Sequence, residues 1–164
     1  MNIKKTANLL INFTIKRLAE IFGLFVFGAG VLLLIALLSY SPEDPNFIFP
    51  DNMEIKNILG FQGSFISDLF FQSLGLISFM FSFTLIFTGI NIFRIKEFFL
   101  IIENIFFTII YSIFGTLFLS HFYSDAFTLY INGNGGFVGN YFNQTFLNSL
   151  ITVNNLVFYY VLIF

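Results

Sequence analysis

From Ile21 to Leu38 the chain runs without a charged residue, and no other feature restricts its possible folds so strongly. At ~1.5 Å per residue a helix of that length measures about 27 Å, close to the ~30 Å hydrocarbon core of a bilayer. The run predicts a membrane span over 21–40, with Tyr40 as an interfacial anchor. Lys4, Lys5, Lys16 and Arg17 precede it and Glu43 and Asp44 follow. Because short basic segments are retained in the cytoplasm, the N-terminus is expected to be cytoplasmic. Composition excludes the alternative of a soluble globule. With 57% hydrophobic and 10% charged residues, there is too little polar surface to cover 164 residues in water.

The rest of the chain follows the same logic. Residues 1–20 form an amphipathic lead-in, with Lys5, Asn8, Asn12 and Lys16 on one face and Ile11, Ile15, Leu18 and Phe22 on another. A cleaved signal peptide competes with this reading, but the apolar run exceeds a signal core and no A-x-A-like cleavage site follows. Residues 21–164 then read as one multi-span membrane domain. An outer loop over 41–68 holds five carboxylates against Lys56 and all three prolines, which stop the first helix. Ser64 is expected to cap the second helix, with Asp68 complementing the dipole at its start. A charge-free second span covers 69–93, and Arg94, Lys96 and Glu97 return the chain to the basic side.

A third span covers 98–120, with Glu103 near its start as an interfacial carboxylate rather than a proton relay. A second outer loop covers 121–151, with a turn cluster at Asn132 to Gly136 and a short interfacial helix expected from Phe137. The sequon Asn143-Gln144-Thr145 is a short pattern of the kind that occurs by chance. The apolar segment 152–164 is too short to cross unaided, so the sequence is expected to stop inside a fourth helix. The fold class is an all-α membrane protein of about four transmembrane helices, the last truncated.

Two sets of small or polar residues are candidates for helix packing. Ala19 and Gly23 form a small-x-x-x-small pair that would admit a close neighbour, although glycine is in any case common in membrane helices. Asn104, Thr108, Ser112, Thr116 and Ser120 recur at every fourth position and make one polar ridge. The ridge reads either as a seam for a crossing helix or as hydroxyls bonded back to their own i−4 carbonyls.

Chemistry is conspicuous by its exclusions. The chain has no cysteine, and its single histidine, His121, cannot bind a metal alone. No Gly-x-x-x-x-Gly-Lys-[Ser/Thr] phosphate loop occurs, and no basic recognition helix, so neither nucleotide binding nor direct contact with nucleic acid is expected of these residues. The chain is not expected to be an enzyme or to hold a cofactor. A membrane-embedded hydrolase lacks a nucleophile–base pair. A small transporter or channel subunit, with the 104–120 ridge lining a polar path, is the alternative function; it lacks a charge at the middle of any span.

Several features in order resemble the N-terminal four-helix membrane domain of the FtsK-type bacterial DNA translocases. These are Glu20-x-x-Gly23, then Leu38-Ser39-Tyr40-Ser41-Pro42-Glu43-Asp44-Pro45-Asn46, Asn57-x-x-Gly60-x-x-Gly63 leading to Asp68-Leu69, and Gly135-Gly136-x-x-Gly139. The Ser39-x-x-Pro42-x-Asp44-Pro45 segment is the most specific. The resemblance marks Ser39, Pro42, Asp44, Pro45, Gly60, Gly63 and Asp68 as family-motif residues of the outer loop. It implies a multi-pass anchor in the bacterial inner membrane, at the division septum, that concentrates a hexameric motor and contacts other division proteins in cell division and chromosome segregation. ATP and Mg would belong to a motor part that follows the fourth span in such proteins, so this chain reads as a partial one.

Overall fold

The computed structural model describes residues 3–45, 54–124 and 132–147, and every regular element among them is helical. The first helix, α1, runs unbroken from Ile3–Leu38. Lead-in and span are thus one rod, because neither Gly nor Pro interrupts the hydrogen-bond ladder before Gly23. Its 36 residues measure about 54 Å, well beyond the ~30 Å of hydrocarbon, so it tilts or stands clear of the bilayer at one end.

The second expected span, 69–93, is divided. One helix, α2, occupies Gly60–Leu74 and a second, α3, occupies Ile77–Ile95. Between them Gly75 takes φ +59°, ψ −138°, a conformation that side chains resist. A Cβ on Gly75 would stand 1.9 Å from the carbonyl oxygen of Asn134, so only glycine fits the break. A lone glycine is ordinarily tolerated in a membrane helix; what ends this one is a partner about sixty residues downstream. The helix α4 (Leu100–Phe122) follows a tight turn, and a short α5 (Gly136–Phe142) continues into a wider turn over Asn143–Leu147. Among the described residues, three helices are long and apolar enough to span a membrane: Ala7–Leu38, Ile77–Ile95 and Leu100–Phe122. Segment 152–164, the expected fourth span, lies outside the described residues.

Helices α1 and α3 pack antiparallel and very closely. A Cβ on Gly23 would lie 2.6 Å from the backbone nitrogen of Phe93, and one on Gly30 would lie 2.7 Å from that of Ile86. Close backbone approach of this kind is how apolar helices gain dispersion energy in lipid, where hydrophobic exclusion between them is lacking. At the end that bears the acidic loop, Leu33, Leu37 and Phe71 form the buried core, with Tyr40, Phe70, Phe79 and Phe81 packed around it. Helix α2 therefore packs against the sides of α1 and α3 near that end. At the basic end, Lys96 caps α3 in the left-handed conformation, and its ammonium lies 2.6 Å from Glu20 of α1. Arg17 reaches the same carboxylate at 2.5 Å. Glu103 sits exposed in the first turn of α4, while Lys96 is engaged by Glu20.

Candidate functional site

Pro42 and Pro45 keep α1 from continuing, and side chains of the loop that follows bond to carbonyls of its last turn. The Ser39 hydroxyl donates to the carbonyl of Ile35 at 2.7 Å and accepts the N–H of Ile58 at 3.2 Å. The Asn57 amide donates to the carbonyl of Ala36 at 2.9 Å. Asp44, only 1% exposed, accepts the N–H of Lys56 on one oxygen and that of Asn57 on the other, both at 2.8 Å. Charge-assisted bonds to backbone N–H groups are among the stronger neutral-pH ties available to a loop. Asp44 thereby ties Lys56 and Asn57, just before α2, to the turn that follows α1.

Glycine makes room for this brace. Gly60 turns the chain into α2 at φ +66°, its N–H bonded to the Asn57 carbonyl at 2.9 Å. A Cβ on Gly63 would fall 2.1 Å from Oδ1 of Asn57, the atom that accepts the N–H of Leu59. The Ser64 hydroxyl then donates to the carbonyl of Pro45 at 3.0 Å. The helix begins a turn earlier than expected, so Ser64 is a tie back to the loop and not a cap. Likewise Asp68 does not serve the start of the helix: it lies two turns in and accepts the Tyr40 hydroxyl at 3.0 Å. Lys56 and Glu43 pair on the exposed side. Each shifts the other: the bond from Lys56 holds the Glu43 carboxyl below its ordinary value, and Glu43 pushes the Lys56 ammonium above its own.

Ser39, Asp44, Pro45, Gly60, Gly63 and Asp68 therefore meet in one place, with Pro42 exposed at the turn between them. Tyr40 and Asn57, which lie in the motif segments but are not singled out among the motif residues, belong to this cluster as well. Tyr40 reads as a membrane anchor by its position, and Asn57 needs the fold to bring it under Ala36. The carboxylates of this cluster are occupied as structural acceptors. Among the described residues, no group of three or more His, Asp or Glu side chains is placed to hold a metal ion.

The packing candidates fall on two other surfaces. Ala19 is fully buried and Gly23 lies against Gly89 and Phe93 of α3, so this pair sits in the α1–α3 seam. The ridge on α4 divides its hydroxyls between the two uses left open by its spacing. Asn104 donates across to Thr88 of α3 at 2.9 Å, and Ser120 donates to Asn140 of α5 at 2.6 Å. Thr108 and Thr116 instead donate to their own i−4 carbonyls, of Asn104 and Ser112. Ser112 is buried with no partner for its hydroxyl among the described residues. The carbonyl of Thr116 would lie 2.4 Å from a Cβ on Gly135 and 2.3 Å from one on Gly139, so the ridge is the floor on which the glycine-rich turn and α5 rest.

That turn also seals the break between α2 and α3. Asn134 receives the N–H of Leu76 on its carbonyl at 3.0 Å, and Asn132 donates to the Gln72 carbonyl at 3.2 Å and to its side-chain oxygen at 3.0 Å. Asn134 and Asn140 in turn hold the turn itself, through the carbonyls of Tyr123 and Asn132. Asparagines spaced along 132–140 thus serve as rivets for backbone that would otherwise lack partners.

Comparison with known proteins points the same way. The family model described as the 4TM region of DNA translocase FtsK/SpoIIIE matches residues 15–164. The DNA translocase FtsK of Rhizobium meliloti (strain 1021) is 33% identical over 69 residues, which is 42% of this chain and 8% of that protein. The chain thus spans only a small part of the length of that relative. No solved structure matches it significantly.

Proposed function

We infer the function from one premise: this chain belongs to the family of the 4TM region of DNA translocase FtsK/SpoIIIE. It is the membrane part of that family and not its motor, a multi-pass inner-membrane domain built of helices. The further reading is ours. The domain anchors an FtsK-type translocase that serves cell division and chromosome segregation, it gathers with copies of itself and with other division proteins, and it carries out no catalysis of its own. Its N-terminus lies in the cytoplasm, with Lys16, Arg17, Arg94 and Lys96 on the inner side and the brace around Asp44 outside.

The observation that carries this reading is the family match over nearly the whole chain, supported by a site whose polar groups are spent on one another. A surface that holds a loop in one shape suits recognition and tethering, whereas turnover needs a free nucleophile, base or bound ion. No observation favours a channel: Ser112, Thr116 and Ser120 of the ridge are buried, and the cleft beside Asn104 and Thr108 is otherwise lined mostly by apolar side chains such as Phe22, Val26 and Phe81.

The test is localisation of residues 1–164 fused to a fluorescent protein in dividing cells. Concentration at the septum is the expected result, and uniform membrane fluorescence through the division cycle defeats the anchoring role. Reporter fusions after Asp51 and after Lys96 check the orientation, which fails if the first reads cytoplasmic.

A further inference from the structure

Helix α2 is amphipathic in the opposite sense from a helix lying in water. Ser64, Ser67 and Asp68 point into the protein, at 1%, 0% and 6% exposure. Phe61, Ile66 and Leu69 point away from it, at 48%, 42% and 55%, and Ile58 just before the helix is 76% exposed. Of the four exposed residues in α2, Phe61, Gln62, Ile66 and Leu69, only Gln62 is polar. In water the polar face would be the outer one.

Depth gives the second observation. Leu59, Gln62, Ile66 and Phe70 share an open cleft of about 440 Å³ with Ala29, Leu33 and Ala36 of α1. Those α1 residues lie inside the apolar stretch that ends at Leu38. At ~1.5 Å per residue, Ala36 sits about 3 Å and Ala29 about 13 Å below that end, so α2 lies beside the span and not beyond it. The third observation is the sealed break at Gly75. Irregular backbone at membrane depth persists only where protein supplies its hydrogen bonds, and Asn132 and Asn134 supply them here.

We propose that α2 is immersed in the bilayer leaflet on the acidic side, with lipid acyl chains covering Ile58, Phe61, Ile66 and Leu69 and entering the cleft beside Ala29. The lipid-facing surface of α1 continues directly onto this face, since Leu32 and Leu38 are also exposed at 54% and 70%. The expected exported loop is accordingly shorter than 41–68: only its first part is aqueous, and the brace around Asp44 forms the lid of a helix sunk in lipid. The placement concerns lipid contact alone and stands apart from the anchoring role proposed above.

The chain contains neither tryptophan nor cysteine, so single probes can be read without background. The whole chain is reconstituted in phosphatidylcholine vesicles with or without bromine on the acyl chains, carrying Phe61→Trp, Leu69→Trp, Glu54→Trp or Phe114→Trp. Quenching of Phe114→Trp, on the lipid side of α4, certifies insertion, so that a failure at α2 is a failure of this placement and not of the membrane fold. The tryptophans at 61 and 69 are expected to lose roughly half of their emission to brominated lipid and to resist aqueous iodide, as befits a helix buried ~5–10 Å below the interface. The one at 54 should behave in the opposite way. Quenching at 61 and 69 by iodide alone overturns the proposal in favour of water. Quenching by neither overturns it in favour of a protein cover, such as a second copy. Should tryptophan at 61 disturb folding, a nitroxide on Phe61→Cys reports the same contrast through collision with oxygen against a nickel chelate.

Discussion

The carbonyl oxygen of Gly89 lies 2.8 Å from where a Cβ on Gly23 would stand, and that of Gly23 lies 2.7 Å from where one on Gly89 would stand. The two glycines are reciprocal: each is the gap into which the other's backbone fits. Substituting either forces α1 and α3 apart along their whole contact. Gly28 on the same helix has nothing among the described residues within 4 Å of its Cβ position. Gly89→Val is therefore expected to cost about 1–3 kcal/mol, and Gly28→Val to cost much less. Reversible unfolding in mixed micelles, followed by circular dichroism, measures the difference; equal losses would mean that the seam is not close-packed.

At the brace, Asp44→Ala leaves the buried N–H of Asn57 and the partly buried N–H of Lys56 without their acceptor, the first being the costlier. The expected loss is about 1–3 kcal/mol for each N–H left unpaired. Asp44→Asn keeps one acceptor oxygen and should lose less. Limited proteolysis of the 41–59 loop reads the same change, with cleavage of the alanine variant fastest.

On the α4 ridge, neighbouring serines should respond with opposite signs. Ser120→Ala removes a bond to Asn140 and should cost about 0.6 kcal/mol. Ser112→Ala removes a buried hydroxyl that has no partner among the described residues, and should leave stability unchanged or raise it by up to about 1 kcal/mol. Comparing the two variants in one micelle titration decides whether the ridge works as a continuous seam or only at its ends.

The Glu43–Lys56 pair has a definite pH signature. Glu43 is held below its ordinary value of 4.5, so its contribution is full above that value and is lost as pH falls through the lowered one. Lys56 is raised above 10.5, so its contribution is full below that value and is lost as pH rises through the raised one. The pair thus acts across the whole range between. Because both side chains are exposed, Glu43→Gln should abolish the acid limb of this term with little change in stability at neutral pH, and salt should weaken it. Melting curves of wild type and variant from pH 3 to 7 check it.

Runs without charge mark the apolar parts of α1 and α4, because exclusion of charge from hydrocarbon is a local property that shows in any window. The division of the second span was hidden. Gly75 is one glycine among twelve, and its break depends on Asn134, whose approach only the tertiary fold provides. The spacing of four in Asn104 to Ser120 likewise marked one face of a helix. It could not tell Thr108, bonded to its own helix, from Asn104, bonded to Thr88. The cluster at the acidic end was legible as a set of motif residues. The pairing of Tyr40 with Asp68 was not, because both had plausible local roles at a helix end.

That α1 is one piece from Ile3–Leu38 makes it a stiff lever. Over about 54 Å, every degree of tilt at one end carries the other sideways by about 1 Å. Ser39 and Asp44 sit just past one tip, and Arg17 and Glu20, the latter joined to Lys96 at the α3–α4 elbow, sit near the middle, where the seam with α3 begins. A force that swings the N-terminal arm therefore works about that fulcrum and loads the α1–α3 seam as a whole, with no hinge in α1 to absorb it.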